Sequence, residues 1–226
     1  MLVIAAHPDD EALGCGGVIA RRVNEGVHVH LAFLADGVGA RGKMRSAKQA
    51  LLKDRREAAY RASEIMGAAS VHFDDLPDNR LDSVPLLDII HRVEALIERY
   101  QPETVLTHHA GDLNIDHRRV HQAVMTACRP QPGHPVQTIL CFEVPSSTEW
   151  QVPGGGEAFV PNWFEDITGT LPQKLKALEA YATEMRDWPH ARSIKAVEHL
   201  ARWRGATVGV EAAEAFILAR RLNRRV

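Results

Sequence analysis

Three acidic residues and a histidine crowd together near the start of the chain: His7, Asp9, Asp10 and Glu11, interrupted only by Pro8. Carboxylates this close repel one another, and each is costly to desolvate. Something must offset that cost, and a divalent metal ion is the first candidate. A catalytic zinc takes three protein ligands from His, Asp, Glu or Cys and keeps a further position for water. His7 and Asp10, set across a turn, are spaced to face one ion, and Asp116-His117 is the best source of a third ligand. Asp9, beside Asp10, is then free to act as a general base. The plainer alternative is that Asp9 or Asp10 caps a helix, with Glu11 favoured near its positive end.

The elements around these residues read as strands alternating with helices. Leu2–Ala6 is a short buried strand, Asp10–Asn24 a helix, Val27–Leu34 a second strand and Ala47–Met66 a long helix. Val71–Phe73, Thr104–Thr107 and Thr138–Val144 read as further strands, and Val84–Tyr100 and Arg118–Cys128 as helices. That alternation predicts an α/β, Rossmann-like, mostly parallel sheet with helices on both faces. Pro145–Pro161, rich in Pro, Gly and Ser, reads as a long loop serving as a lid or a subunit interface. Helices at Pro172–Arg186 and Arg192–Arg204 and an apolar stretch at Ala215–Leu222 follow, so residues 1–226 are read as one domain. In such a sheet ligands bind beyond the carboxyl ends of strands. His7–Glu11, Asp36–Gly39 and His108–His117 each follow a predicted strand and so should converge on one edge.

Bulk composition narrows the partners. A formal net charge of -2 supplies no global basic field for nucleic acid or an anionic membrane, although basic residues bunch at Lys43–Arg61 and Arg220–Arg225. No apolar run approaches the roughly 20 residues of a membrane span. The first strand starting at Met1 leaves no room for a signal peptide, and three cysteines without a CxxC pair point to a reducing cytoplasm.

The stretches AHPDDEALGCGG, ADGVGAR, RREAAYRASEIMG, LPDNRLD, HHAGDLNIDHRRV, PSSTEW and PHARS occur in that order. Together they resemble the PIG-L/LmbE-like N-deacetylase family. The resemblance implies a Rossmann-like fold, one Zn2+ per chain, and removal of an N-acetyl group from an amino sugar or sugar conjugate. It implies His7, Asp10 and His117 as zinc ligands and Asp9 as general base, acting on a zinc-bound water. Arg55 matches an arginine that touches sugar hydroxyls, and Asp78 an acidic residue of similar role. One departure stands out. Several members carry histidine three positions before the third ligand, as an oxyanion donor, where this chain has Asn114. An amide can donate a hydrogen bond there, and His190 is the substitute candidate, with His108, His109 and His121 as further options.

Two other readings stay open on the residues alone: another amide or phosphoester metallohydrolase on the same fold, and a non-catalytic metal-stabilised sugar-binding protein. The His28-Val29-His30 pair falls inside a predicted strand and reads as structural. The Gly14-Cys15-Gly16-Gly17 run lacks dinucleotide spacing and reads as close packing of helix on sheet, with Cys15 a buried filler.

Overall fold

A computed structural model describes residues 1–39 and 45–223. Lys43 and Arg224–Arg225 of the two basic bunches, and the Ala40-Arg41 end of ADGVGAR, lie outside the described residues.

The element order is β1 (Leu2–Ala5), α1 (Asp10–Asn24), β2 (His30–Ala35), α2 (Arg45–Met66), β3 (Ser70–Leu76), α3 (Leu86–Tyr100), β4 (Thr104–His108), α4 (Ile115–Ala127), β5 (Thr138–Phe142), β6 (Trp163–Asp166), α5 (Leu171–Ala180), α6 (Ile194–Ala206) and β7 (Ala213–Arg221). The strands form one sheet in the order β3-β2-β1-β4-β5-β7-β6. β1 to β5 run parallel, while β7 pairs antiparallel with both β5 and β6. Strand alternation divides the core between the two faces. Leu2 and Ile4 of β1 pack with Ile89 and Val93 of α3 and Val120 of α4. Val3 and Ala5 pack on the other face with Leu13, Ala59 and Leu178 of α1, α2 and α5.

The chain order reverses between β1 and β4, where successive crossovers leave in opposite directions and open a cleft beyond the strand ends. The His7–Glu11 and His108–His117 segments leave those two strands, so their convergence follows from the topology.

The predicted boundaries shift where local bonding outweighs pattern. β2 begins at His30 rather than Val27, because its partner β1 starts at Leu2 and the register is Leu2↔His30. The carbonyl of His28 is taken by the Met1 amino group instead. α4 begins at Ile115, since the Asn114 side chain accepts from the Asp116 N–H at 2.8 Å and caps it. The helix expected up to Arg186 stops at Ala180, and Trp163–Asp166 is a short strand that its pattern did not announce.

Glycine has a clear steric reason in α1. A Cβ at Gly17 would stand 2.7 Å from Ile167, and one at Gly14 would run into the Phe142 ring. The helix kinks at Cys15 (φ -145°). Glu214 of β7 then accepts from the N–H groups of Gly17 and Val18, at 3.0 and 2.7 Å, and pairs with the buried Lys174. The three cysteines are buried and unbridged. Among the described residues no helix is long and apolar enough to cross a membrane.

Candidate active site and metal centre

His7, Asp10 and His117 are buried together at the switch point, with candidate ligand atoms all within 4.8 Å of one another. His7 Nδ1 lies 3.4 Å and His117 Nε2 3.3 Å from Asp10 Oδ2. Two donors, each about 2.0–2.1 Å from a tetrahedral zinc, stand roughly 3.3 Å apart by simple geometry. Asp10 Oδ1 and His117 Nε2 are buried without a hydrogen-bond partner. Orphaned buried polar atoms are costly in a finished site, so this donor set fits a divalent ion.

Acidic groups stand behind both histidines. His7 Nε2 contacts Asp116 Oδ2 at 3.0 Å and Asp78 Oδ1 at 3.1 Å. These three also form a candidate metal group. However, Asp116 Oδ2 already accepts from the Asn79 N–H at 2.6 Å, and Asp78 Oδ1 accepts from the Asn79 amide at 2.9 Å. We therefore read them as support that orients His7. On the other side Asp112 Oδ1 lies 3.1 Å from His117 Nδ1, close enough for its charge to act on the ring, although off the axis of a well-formed hydrogen bond. Burial opposes charge on His117, but Asp10 and Asp112 outweigh it and push its pKa up to about 9. Burial alone would raise Asp10, yet the charge of the nearby His117, with the contact from His7, holds it well below the usual carboxylate range.

Asp9 occupies the N-cap position of α1 with φ 119°, a left-handed conformation, and its side chain makes no cap bond. The capping alternative thus fails for Asp9. Non-glycine residues in that region cost about 1–3 kcal/mol, and such strain gathers at functional sites. The strained turn swings the carboxylate out to Arg192 Nη1 at 2.8 Å and Arg55 Nη1 at 3.4 Å, both on Oδ2. Burial raises the Asp9 pKa, Arg192 pulls it down, and the balance stays above the ordinary value. Asp10 does not cap either; its Oδ2 accepts from the His7 N–H at 2.8 Å. Glu11 accepts from the Asp9 N–H and the Tyr181 hydroxyl, and burial lifts its pKa to about 8.

Sequence comparison decides the family. Residues 2–128 match the family model described as PIG-L, GlcNAc-PI de-N-acetylase. The chain belongs to the PIG-L family. It is 31% identical over 187 residues to the uncharacterized deacetylase YaiS of Escherichia coli, covering 80% of this chain and 89% of that protein. A 4-oxalmesaconate hydratase of Pseudomonas putida is also 31% identical, over 84% of this chain and 75% of its own. Among solved structures, N,N'-diacetylchitobiose deacetylase from Pyrococcus horikoshii superposes with a TM-score of 0.78 at 20% identity, covering 97% of this chain and 83% of that one. The α/β architecture is thus shared with that deacetylase structure.

In this PIG-L chain a cavity of about 280 Å³ opens beside the candidate metal ligands. His7, Asp9, Arg55, Asp78, Asn114 and His190 all line it, while Asp10 and His117 lie buried behind. Arg55 is buried, donating to the Pro8 carbonyl at 3.0 Å and pairing with Glu184. Asn114 spends its carbonyl on the α4 cap, which leaves its NH₂ as the free end; it reaches Asn79 Oδ1 at 3.4 Å. His190 Nδ1 accepts from the Arg192 N–H at 3.0 Å, so its ring proton sits on Nε2. The other three histidine options are turned elsewhere. His108 stacks on His117 and accepts from the Ala6 N–H, His109 meets the Glu157 carbonyl, and His121 meets the carbonyl of His108.

The roles of Asp112 and Arg192 were not legible in sequence. The turn Pro145–Thr148 ties them together. Ser147 and Thr148 donate to Asp112, behind His117, while Ser146 Oγ accepts from Arg192 Nε at 2.6 Å, beside Asp9. This half of the predicted lid is largely packed into the site. The exposed half folds against Gly111, where a Cβ would collide with the Glu157 backbone. Only Ser146 and Trp150 of the loop line the cavity. His28 and His30 line a different cavity, of about 570 Å³, near the amino ends of the strands; the His30 ring stacks on Tyr100.

Proposed function

We propose that this chain is a single-domain, zinc-dependent N-deacetylase that releases acetate from an N-acetylated amino sugar or sugar conjugate. The observation that carries it is the pairing of a three-ligand metal cluster with a strained, non-capping Asp9 at the mouth of one cavity. A general base is surplus to a site that only binds metal or sugar. Relatives named as sugar deacetylases, such as diacetylchitobiose deacetylase of Thermococcus kodakarensis at 27% identity, support the same reaction.

His7, Asp10 and His117 would hold the ion, which supplies Lewis acidity, polarising a carbonyl and acidifying water. Asp9 Oδ2 is fixed by two arginines, so its other oxygen takes the proton from the attacking water. The Asn114 NH₂ and the His190 Nε2–H are the donors for the developing oxyanion. Asp9 then returns its proton to the leaving amine, and acetate and a free amine result. Arg55 and Asp78 sit where sugar hydroxyls would meet the cavity wall.

The test is a mass-spectrometric screen of N-acetylated sugars, including nucleotide-linked ones, for loss of an acetyl group, with acetate assayed in parallel. Release of phosphate instead of acetate would favour a phosphoesterase. The 31% identity to a hydratase supports a second reading, water addition across a carbon–carbon double bond, which predicts no acetate from any sugar and a gain of one water by an unsaturated carboxylic acid added to the screen.

A further inference from the structure

The inner wall of the cavity balances its charges. Asp9 is met by Arg192 and Arg55, Glu184 by Arg55, and Asp78 lies against His7. The outer wall does not. Arg186 has no acidic partner among the described residues, yet it lines the same cavity. Its Nη1 is braced on the carbonyl oxygens of Thr183 and Met185, at 2.9 and 2.8 Å, which holds the guanidinium in place and leaves Nε and Nη2 without hydrogen bonds among the described residues. Arg192 bonds Ser146 through Nε and Asp9 through Nη1, so among the described residues its Nη2 has no hydrogen bond. Trp150, 51% exposed, stands edge-on to the His190 ring, with centroids 5.6 Å apart.

We infer that this outer wall is a subsite for an anionic substituent, a phosphate or a carboxylate, carried by the acetylated sugar, with Arg186 as its principal contact. The inference rests on the deacetylase reading and names the class of sugar it acts on. A braced guanidinium presents its planar donor fork with little ordering left to lose, and that fork matches phosphate or carboxylate oxygens. Trp150 offers an aromatic face for the sugar ring. Deeper in the cavity the charges are already matched, so the unmatched cation of the outer wall sets the direction of entry: acetamide inward, anion outward.

The experiment compares N-acetylglucosamine with its 1-phosphate, a nucleotide-diphosphate conjugate and a carboxylate-bearing N-acetyl sugar. The expected kcat/KM for an anionic substrate exceeds the neutral one by about 10-fold or more, the scale of one charge-assisted contact. Arg186→Gln should remove that advantage through KM, leaving kcat, metal content and turnover of the neutral sugar unchanged. Which anionic arm leads tells a simple phosphate from a nucleotide or a carboxylate. Equal kcat/KM on neutral and anionic sugars, or an equal loss on both in Arg186→Gln, overturns the inference. A binding arm separates it from the deacetylase reading. Glucosamine 1-phosphate should bind the metal-loaded protein at least about 10-fold more tightly than glucosamine by calorimetry, and Arg186→Gln should equalise them. Equal affinities overturn the subsite whatever is turned over. A phosphate preference without any acetate release sinks only the deacetylase reading.

Discussion

Replacing Asp112 by asparagine separates metal support from loop anchoring. Asp112 is buried and receives the Ser147 and Thr148 hydroxyls and the Asn114 N–H, while its charge faces His117 at 3.1 Å. Asparagine keeps the shape and one acceptor oxygen. With its NH₂ towards Thr148, one hydroxyl proton is left without an acceptor, a loss of about 1 kcal/mol. For a chain of this size that corresponds to a fall of roughly 2–4 °C in Tm. The effect on the metal is larger. His117 loses the carboxylate behind its ring, and such losses weaken metal binding by about 10–100-fold. Competition with a fluorescent chelator reads the affinity, and activity restored by added zinc shows that the site still assembles. Ser147→Ala is the control: it loosens the turn and spares the charge on His117, so Tm should fall without a matching loss of metal. If Asp112→Asn lowers Tm and leaves the chelator midpoint unchanged, Asp112 only anchors the turn and the reasoning is wrong.

Other substitutions address the remaining roles. His117→Ala should lose most of about one divalent ion per chain while the sheet persists, which elemental analysis and circular dichroism read together. Asp9→Asn should keep the metal and lower turnover by about 10²–10⁴; near-normal rates would remove Asp9 as the base. Asn114→Ala and His190→Ala should each lower kcat and kcat/KM together if the side chain donates to the oxyanion, by about 10²–10³ for a principal donor; whichever variant keeps its kinetics is not that donor. His117, with its pKa pushed up from 6.5 to about 9, contributes stability to the metal-free protein that is complete below 6.5 and is lost as pH rises through about 9. Zinc must displace the same proton, so its affinity should climb across that window. A flat zinc titration from pH 6.5 to 9 would contradict the assignment.

Much of the architecture could be read along the chain because it rests on periodicity. The alternation of apolar strands with amphipathic helices specified a parallel sheet, and the polar clusters directly after Leu2–Ala5 and Thr104–His108 specified which edge carries chemistry. His7, Asp9 and Asp10 were legible because adjacent charges after a buried strand demand a compensating partner. What the sequence could not show were contacts whose partners lie far apart along it. Arg192 reaches Asp9 across 183 positions, and Ser147 reaches Asp112 across 35. No local pattern marks an arginine beside a helix cap, or a serine in a turn, as the neighbour of Asp9 or of Asp112. The Asn114 amide is a related case. Its residue type allowed either a cap or an oxyanion donor, and only the start of α4 at Ile115 shows that the carbonyl is the capping end and the NH₂ the end turned to the cavity. Sequence determined which residues carry charge and which strand ends deliver them. Tertiary structure decided which charges pair, and so which groups are left free to act, because an ion pair depends on distances that only the packed sheet and its helices set.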